Sequence, residues 1–436
     1  MKKTISEREL ILDILLSITR DNEYSHIALR SVLDKYRYLE KKERAFITRV
    51  VEGTLERMIE LDYMINQYSK VPVNKMKPVI RTIVRNAVYQ LKYMDSVPNS
   101  AVCNESVKLA EKRGFGSLKG FVNGLLRNID RNLSDIKYPD ESDTLKFLSV
   151  TYSMPVWILE QWLQEYDRTT VERMLQDFLQ EKPTTVRFDP NRISKQELID
   201  KLKQEEVTVE EHPVLPYALL ISGYDYLGAL KSFRKGDFQV QNISSMKVAE
   251  AAAPKAEDYV IDVCAAPGGK ALHMAEKLAG TGFVEARDLS DCKVGLMEEN
   301  ILRSGLRNIK AVKQDATEYT AESKEKADIV IADLPCSGLG VLGQKTDLKY
   351  KMTEAQQTGL ILLQRKILAV VKAYVKPGGK LIYSTCTVHR GENQENTAWF
   401  LRENSDFQLT AEEQMLPGKH GGDGFYISEF MRAGYE

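Results

Sequence analysis

The chain has 436 residues, 43% apolar and 28% charged, which suits a folded protein of about two or three domains and excludes long disorder or a collagen-like repeat. Its 61 Lys/Arg and 62 Asp/Glu nearly cancel overall, but residues 1–140 hold 25 basic against 18 acidic side chains (net +7) and the remainder is net −8. A basic amino-terminal third points to an anionic partner, although a solvated charged surface explains it equally well. Five scattered cysteines without CxxC spacing argue against a disulfide framework or a zinc site, so no metal is expected and a reducing compartment is. Asp13 interrupts the first apolar stretch, and no run approaches the ~18 apolar residues that span a bilayer. A cytoplasmic protein without a membrane partner is expected.

Residues 5 to about 132 read as successive helices. Leu10, Ile11, Ile14, Leu15 and Ile18 keep the spacing of a buried helical stripe, as do Ile80, Ile83, Val84, Ala87, Val88 and Leu91. Pro78 suits a first helical turn, and Asn99 or Ser100 is placed to cap the following helix. A join between Pro139 and Pro155 leads through helical patterns at Trp157, Trp162 and Val171–Leu179 to a small α/β segment. Its strands are read at Thr184–Phe188, Val207–Glu210 and Ala218–Ser222, with a helix at Ser194–Gln204. From residue 236, apolar strand cores at Tyr259–Val263, Phe283–Ala286, Ile309–Val312, Ile329–Ala332 and Leu381–Tyr383 alternate with helices, including Lys293–Arg303 and Ala355–Val375. That alternation predicts a mostly parallel sheet with helices on both faces. The expected order is an all-α domain (1–140), a helical and small α/β connector (141–235) and a Rossmann-like α/β domain (236–436).

In such sheets, ligands bind beyond the carboxyl ends of the strands. The first predicted strand there runs into Asp262-Val263-Cys264-Ala265-Ala266-Pro267-Gly268-Gly269-Lys270, where small residues let a ligand approach the backbone at a helix start. The stretch matches neither GxGxxG nor a Walker A loop. Asp288, Asp315 and Asp333 follow the next three strands, an arrangement that favours a nucleoside over three unrelated helix caps. Cys336 and Cys386 fall at neighbouring strand tips, where a thiolate beside Lys270 could act as a nucleophile. Cys103 and Cys292, on helical patterns, read as packing.

Together, DVCAAPGGK, DLPCSGLG and STC resemble the motifs of RNA 5-methylcytosine methyltransferases that use S-adenosylmethionine. Asn104–Ala110 and Phe121-Val122-Asn123-Gly124 resemble the NusB-like RNA-binding domain that bacterial 16S rRNA cytosine-C5 methyltransferases carry. The resemblance runs from about residue 5 to His420-Gly421-Gly422-Asp423-Gly424-Phe425-Tyr426. It implies that Cys264, Ala265, Ala266, Pro267, Gly268, Gly269 and Lys270 line the cofactor, with Asp288 on the ribose and Asp315 near the adenine. Asp333 would lie between cofactor and base, Cys386 would be the nucleophile, and Cys336 would assist product release. Carbon 5 of cytosine is a poor nucleophile until a thiolate adds at carbon 6, which explains why such an enzyme needs both a nucleophile and a second acid/base function.

Lys112, Arg113, Lys119 and Arg127 are the expected RNA contacts, and 16S rRNA or a small-subunit assembly intermediate is the expected partner of a monomer. Deleting residues 1–135 is expected to weaken RNA binding while leaving the methyltransferase domain folded. Relatives carry two arginines where Gly343-Gln344 stand here, so two phosphate contacts are expected to be lost, and Asn242 replaces a usual Asp. The same chemistry on tRNA or another rRNA site, and a non-catalytic RNA-binding assembly factor, are the competing readings. Retention of every expected catalytic residue type counts against the last.

Overall fold

The structure, a computed structural model, describes residues 6–36, 38–419 and 421–434; readings that touch Met1–Ile5, Arg37, His420, Tyr435 or Glu436 lie outside the described residues. The chain divides into two units. One is formed by residues through Leu179 together with Leu342–Lys351, the other by Gln180–Val341 and the chain from Met352 onward.

The first unit is helical. Glu7–Thr19, Ser25–Lys35, Lys41–Glu56, Met58–Tyr68, Pro78–Tyr93, Asn99–Lys112 and Lys119–Arg131 pack around one core, into which both apolar stripes are buried. Burial of each Leu or Ile there contributes about 1.5–3 kcal/mol. Pro78 opens its helix, as its spacing predicts. The expected cap at Asn99 or Ser100 is corrected: Asn99 is already helical, Pro98 occupies the cap position without a side-chain bond, and the Asn99 amide donates to Asp130 instead. Three further helices, Thr144–Thr151, Val156–Glu165 and Arg168–Phe178, complete the run.

Leu342–Lys351 forms a strap on this unit. Asp347, 2% exposed, accepts the Ser25 backbone N–H at 3.0 Å and its hydroxyl at 2.6 Å. Lys349 Nζ donates to the Glu56 carbonyl at 2.8 Å, Lys351 Nζ to that of Glu23 at 2.7 Å, and Leu342 is buried. Burial lowers the Lys349 ammonium to about 7. The expected cost of missing arginines is thus joined by a structural role: most of this stretch is occupied with intramolecular contacts. A chain lacking residues 1–135 would also strip Glu23, Ser25 and Glu56 from the strap, so it is not a clean test of RNA affinity.

The second unit holds two sheets. Strands β1 (Thr184–Arg187), β2 (Thr208–Glu211), β3 (Ala218–Ser222) and β4 (Gln239–Val240) form an antiparallel sheet in the order β2-β3-β1-β4. Strands β5 (Tyr259–Asp262), β6 (Phe283–Asp288), β7 (Ile309–Lys313), β8 (Ala327–Asp333), β9 (Val375–Thr385), β10 (Phe407–Met415) and β11 (Phe425–Arg432) form the other, in the order β10-β11-β9-β8-β5-β6-β7. The first five pair in parallel, and β11 joins β9 and β10 antiparallel. Buried helices lie on both faces, giving two apolar layers around Val260, Val284 and Ile331 on one side and Ile261, Val330 and Tyr383 on the other.

Two sequence expectations need revision here. The helix read over Ala355–Val375 is Glu354–Val371, and Val375 begins β9. Cys292, read as packing, is exposed because it faces away from the core on the helix Asp291–Ser304, whereas Cys103 is buried.

Candidate active site

The strand order reverses between β5 and β8, so a cleft opens where their carboxyl ends diverge. Beyond β5 the chain turns through Cys264–Gly268 into the helix Gly269–Lys277. Gly268 has φ +106°, a left-handed conformation that L side chains rarely adopt, and space lies open beside Gly269. The turn is fixed from the next strand: Asp288 Oδ2, at the tip of β6, accepts the Ala266 N–H at 3.0 Å. Its other oxygen accepts Leu289 N at 2.7 Å and Lys293 Nζ at 2.8 Å. Asp315, after β7, accepts the Thr317 N–H at 2.8 Å, a bond that holds its pKa below the usual carboxylate value.

Asp262, at the end of β5, is fully buried, and neither carboxylate oxygen has a side-chain hydrogen-bond partner among the described residues. Burial first, and the nearby Asp333 charge second, push it up to about 8, so it holds a proton at neutral pH. The DVCAAPGGK motif alone assigns Asp262 no role; the one signal for it in the sequence is its position as the last residue of an apolar strand. Cys264 is also held as a thiol, by burial first and then by the Asp288 and Asp333 charges.

Asp333, at the end of β8, accepts Lys270 Nζ at 2.7 Å and the Ser384 hydroxyl at 2.7 Å. Burial pulls the Lys270 ammonium down, but the charge and hydrogen bond of Asp333 outweigh it and leave its pKa raised, with Cys386 adding in the same direction. Lys270 therefore stays charged. The two cysteines expected at the strand tips meet there, with Sγ atoms 3.2 Å apart. The hydrogen bond to Cys386, then burial, raise the Cys336 thiol well above its ordinary value, and the Glu392 charge adds to this. Gly340 brings the loops together: its N–H donates to the Cys386 carbonyl at 3.1 Å and its carbonyl accepts Gly424 N at 2.8 Å. A Cβ at Gly340 would lie 2.1 Å from the Gly424 oxygen, so no other residue fits.

Asn242 caps the helix Ile243–Ala252, its Oδ1 accepting Ser244 N at 2.9 Å, a service for which an Asp carboxylate and an Asn carbonyl are equivalent acceptors. Arg187 of β1 is another residue that sequence reading missed. Fully buried, it pairs with Glu276 through bonds of 2.7 and 2.9 Å and donates to the Gly269 carbonyl at 3.1 Å, tying the small sheet to the first turn of the glycine-loop helix.

Of the expected RNA contacts in the helical unit, Lys112 pairs with Glu9 at 2.6 Å, Arg113 with Asp13 at 2.6 Å and Lys119 with Glu111 at 3.0 Å. Arg127 Nε donates to the Asn123 side chain at 3.0 Å. A different basic stretch stands out. Residues 63–94 contain no Asp or Glu but carry Lys70, Lys75, Lys77, Arg81, Arg85 and Lys92. Lys70, Lys75 and Lys77 are exposed and without an ionic partner among the described residues.

Comparison with known proteins accounts for all three parts of the chain. The family "16S rRNA methyltransferase RsmB/F" matches residues 249–431, the NusB family matches 5–131, and the ferredoxin-like domain of RsmF/B-like methyltransferases matches 154–224. "Probable ribosomal RNA small subunit methyltransferase B" of Bacillus subtilis is 34% identical over the whole of both chains. Its counterpart in Synechocystis is 33% identical over 98% of this chain and 100% of its own. Among solved structures, PH0851 shares the fold with a TM-score of 0.83, at 23% identity, over 99% of this chain and 100% of its own. NSun6 from Pyrococcus horikoshii, whose structure is described as "with SFG", shares it with a TM-score of 0.57, at 23% identity, over 63% of this chain and 97% of its own. The glycine turn, the strand-tip acids and the buried Asp262 carboxyl fit a polar nucleoside cofactor. The chain belongs to the RsmB/F family of 16S rRNA methyltransferases, and its cofactor is S-adenosylmethionine.

Proposed function

We propose that the protein methylates carbon 5 of a cytosine in 16S rRNA, free or in an assembling small subunit, through a covalent bond between Cys386 and the base, acting as a cytoplasmic monomer. The observation that carries this reading is the pair of sulfurs 3.2 Å apart beside the Lys270–Asp333 ion pair. S-adenosylmethionine, when bound, supplies an electrophilic methyl group. Residues 264–270 and Asp288 would hold it, with Asp315 toward its base.

The two sulfurs have different neighbours. Cys386 shares the field of the charged Lys270, which favours a thiolate, whereas Cys336 is held as a thiol by its hydrogen bond to Cys386 and by burial. Cys386 adds to carbon 6 of the cytosine, and the electron pair of the C5–C6 double bond becomes available at carbon 5. The Lys270–Asp333 pair would face ring nitrogen 3, where negative charge builds, with the Lys270 ammonium as the donor that balances it. After carbon 5 has gained the methyl group it must lose its hydrogen. A base takes that proton, the double bond re-forms, and Cys386 leaves as a thiolate. Cys336 suits this step: once Cys386 is bonded to carbon, its hydrogen bond and its charge no longer raise the Cys336 thiol, and only the smaller contributions remain. It can then release its proton to solvent and accept the one from carbon 5. The target base must be unpaired or flipped out to reach the sulfurs.

RNA phosphates would be gripped by the helical unit. Lys112, Arg113 and Lys119 must exchange a carboxylate for a phosphate to contribute, whereas Lys70, Lys75 and Lys77 need not, so the latter carry the larger share. Methylation of total RNA with a labelled donor, followed by mapping, tests the activity. A labelled 5-methylcytosine in 16S rRNA is the expected product, and a methyl group on another ring atom would overturn the reaction proposed.

A further inference from the structure

Beneath the two cysteines lies a polar network that the reaction above does not use. Glu392 is wholly buried. Its Oε2 accepts the Ser337 backbone N–H at 2.8 Å and Gln364 Nε2 at 3.1 Å, and its Oε1 accepts the Ser337 hydroxyl at 2.6 Å and Gln357 Nε2 at 3.4 Å. No Lys or Arg among the described residues forms an ion pair with it. The nearest candidate, His389 Nδ1 at 3.7 Å, is kept neutral, burial lowering it to about 4. A buried carboxylate is costly unless its oxygens are satisfied, and here both are satisfied mainly by one loop and the helix Glu354–Val371.

That loop is Pro335-Cys336-Ser337. The peptide groups on either side of Cys336 are both held: Glu392 takes the Ser337 N–H, and Gln364 Nε2 donates to the Pro335 carbonyl at 2.9 Å. Gln364 is itself oriented by Asn396, whose Nδ2 donates to its Oε1 at 2.7 Å. The network also reaches the other cysteine's strand, since the Ser337 and Thr387 hydroxyls lie 2.9 Å apart and the Tyr383 hydroxyl donates to the Glu392 carbonyl. Cys386 directly follows Thr385, the last residue of β9, and the pairing of that strand with β8 and β11 holds it largely without the Glu392 carboxylate.

We infer that Glu392, with Gln364, is the positioning residue for Cys336, setting that sulfur within reach of Cys386 and so controlling product release rather than attack. The inference rests on the two-cysteine reaction proposed above. A catalytic atom displaced by about 1 Å loses on the order of 10²-fold in rate, so a small shift of this loop is enough to matter. Glu392→Gln keeps the size but presents an amide N–H₂ to a nest of donors, which drives the loop away.

Three measurements on the full-length protein test it. Single-turnover formation of the covalent RNA complex should change less than threefold in Glu392→Gln, while its resolution slows tenfold or more, so that the complex accumulates on a denaturing gel as it should in Cys336→Ala. Oxidation of the RNA-free protein with diamide should form the Cys336–Cys386 disulfide at least tenfold more slowly in Glu392→Gln than in the unaltered protein. Should Glu392→Gln fail to fold, Gln364→Met, which removes the bonds to Pro335 and Glu392 without changing size greatly, carries the same expectations. Unchanged disulfide formation in the folded variant overturns the inference, as does a parallel loss of complex formation and resolution. If Cys336→Ala resolves normally, the proposed role of Cys336 in release fails, and the control of release assigned to Glu392 falls with it. Normal resolution in Glu392→Gln beside a stalled Cys336→Ala overturns the inference alone.

Discussion

The Asp288 carboxylate holds the Ala266 N–H in the glycine turn, and under the function proposed above its remaining lone pairs would accept a ribose hydroxyl. Asp288→Ala should weaken binding of S-adenosylmethionine by about 1.5–3 kcal/mol, the value of a hydrogen bond to a charged group. Calorimetry checks this, and unchanged affinity would remove Asp288 from the cofactor site. The cysteines separate in the same way. Cys386→Ala should abolish both methylation and covalent attachment to RNA, whereas Cys336→Ala should trap the attached complex, visible as a slow band on a denaturing gel. Adducts in Cys386→Ala and none in Cys336→Ala would reverse the roles. These residues could be picked out beforehand because strand tips gather chemistry and because the three motifs resemble a family. Asp262 and Glu392 could not be weighed that way. The proton on Asp262 comes from burial and from Asp333, 71 positions along the chain, and the value of Glu392 lies in a loop 55 positions away.

Among elements, the parallel strands were legible because fully covered strands are short apolar runs, and β5, β6, β7 and β8 fall on the runs at 259, 283, 309 and 329. The edge pair was not. β10 reads Phe-Gln-Leu-Thr-Ala-Glu-Glu-Gln-Met and is exposed along most of its length, so it lacks a buried-strand signature. Its pairing with β11 is settled only by the fold. In the helical unit the stretch at residues 70–77 offers no helix or strand pattern, yet its three lysines are exposed and have no ionic partner among the described residues. Replacing Lys70, Lys75 and Lys77 together by Gln should lower the slope of log affinity against log salt by up to about 2, at ~0.7 per phosphate contact on single-stranded RNA. Replacing Lys112 and Arg113 should lower it less, because their charges are already balanced by Glu9 and Asp13. Filter binding across a salt series distinguishes the two, and an unaltered slope in the triple variant would clear residues 70–77 of phosphate contact.

At the scale of the whole molecule, Lys349 couples the strap to pH. An ordinary lysine titrates near 10.5, and burial brings this one to about 7 in the folded protein. Between those values the unfolded chain keeps a proton that the folded chain has lost, so stability of the helical unit should climb as pH rises from about 7 toward 10, and level off below 7, where both states are charged. Urea midpoints across that range should show the climb, and Lys349→Met should flatten it; a flat profile in the unaltered protein would mean the ammonium is solvated. The strap also sets a timetable. The ten helices through Phe178 leave the ribosome about 170 residues before Lys351 does, a delay of roughly 10–30 s at usual elongation rates. During that interval the nascent helical unit lacks a piece of its own packing, with Ser25 and the Glu56 carbonyl still facing water. Its final closure therefore waits until the strands around the first cysteine loop have been made, so protease resistance of the amino-terminal third should arrive late in synthesis, after residue 351 has emerged.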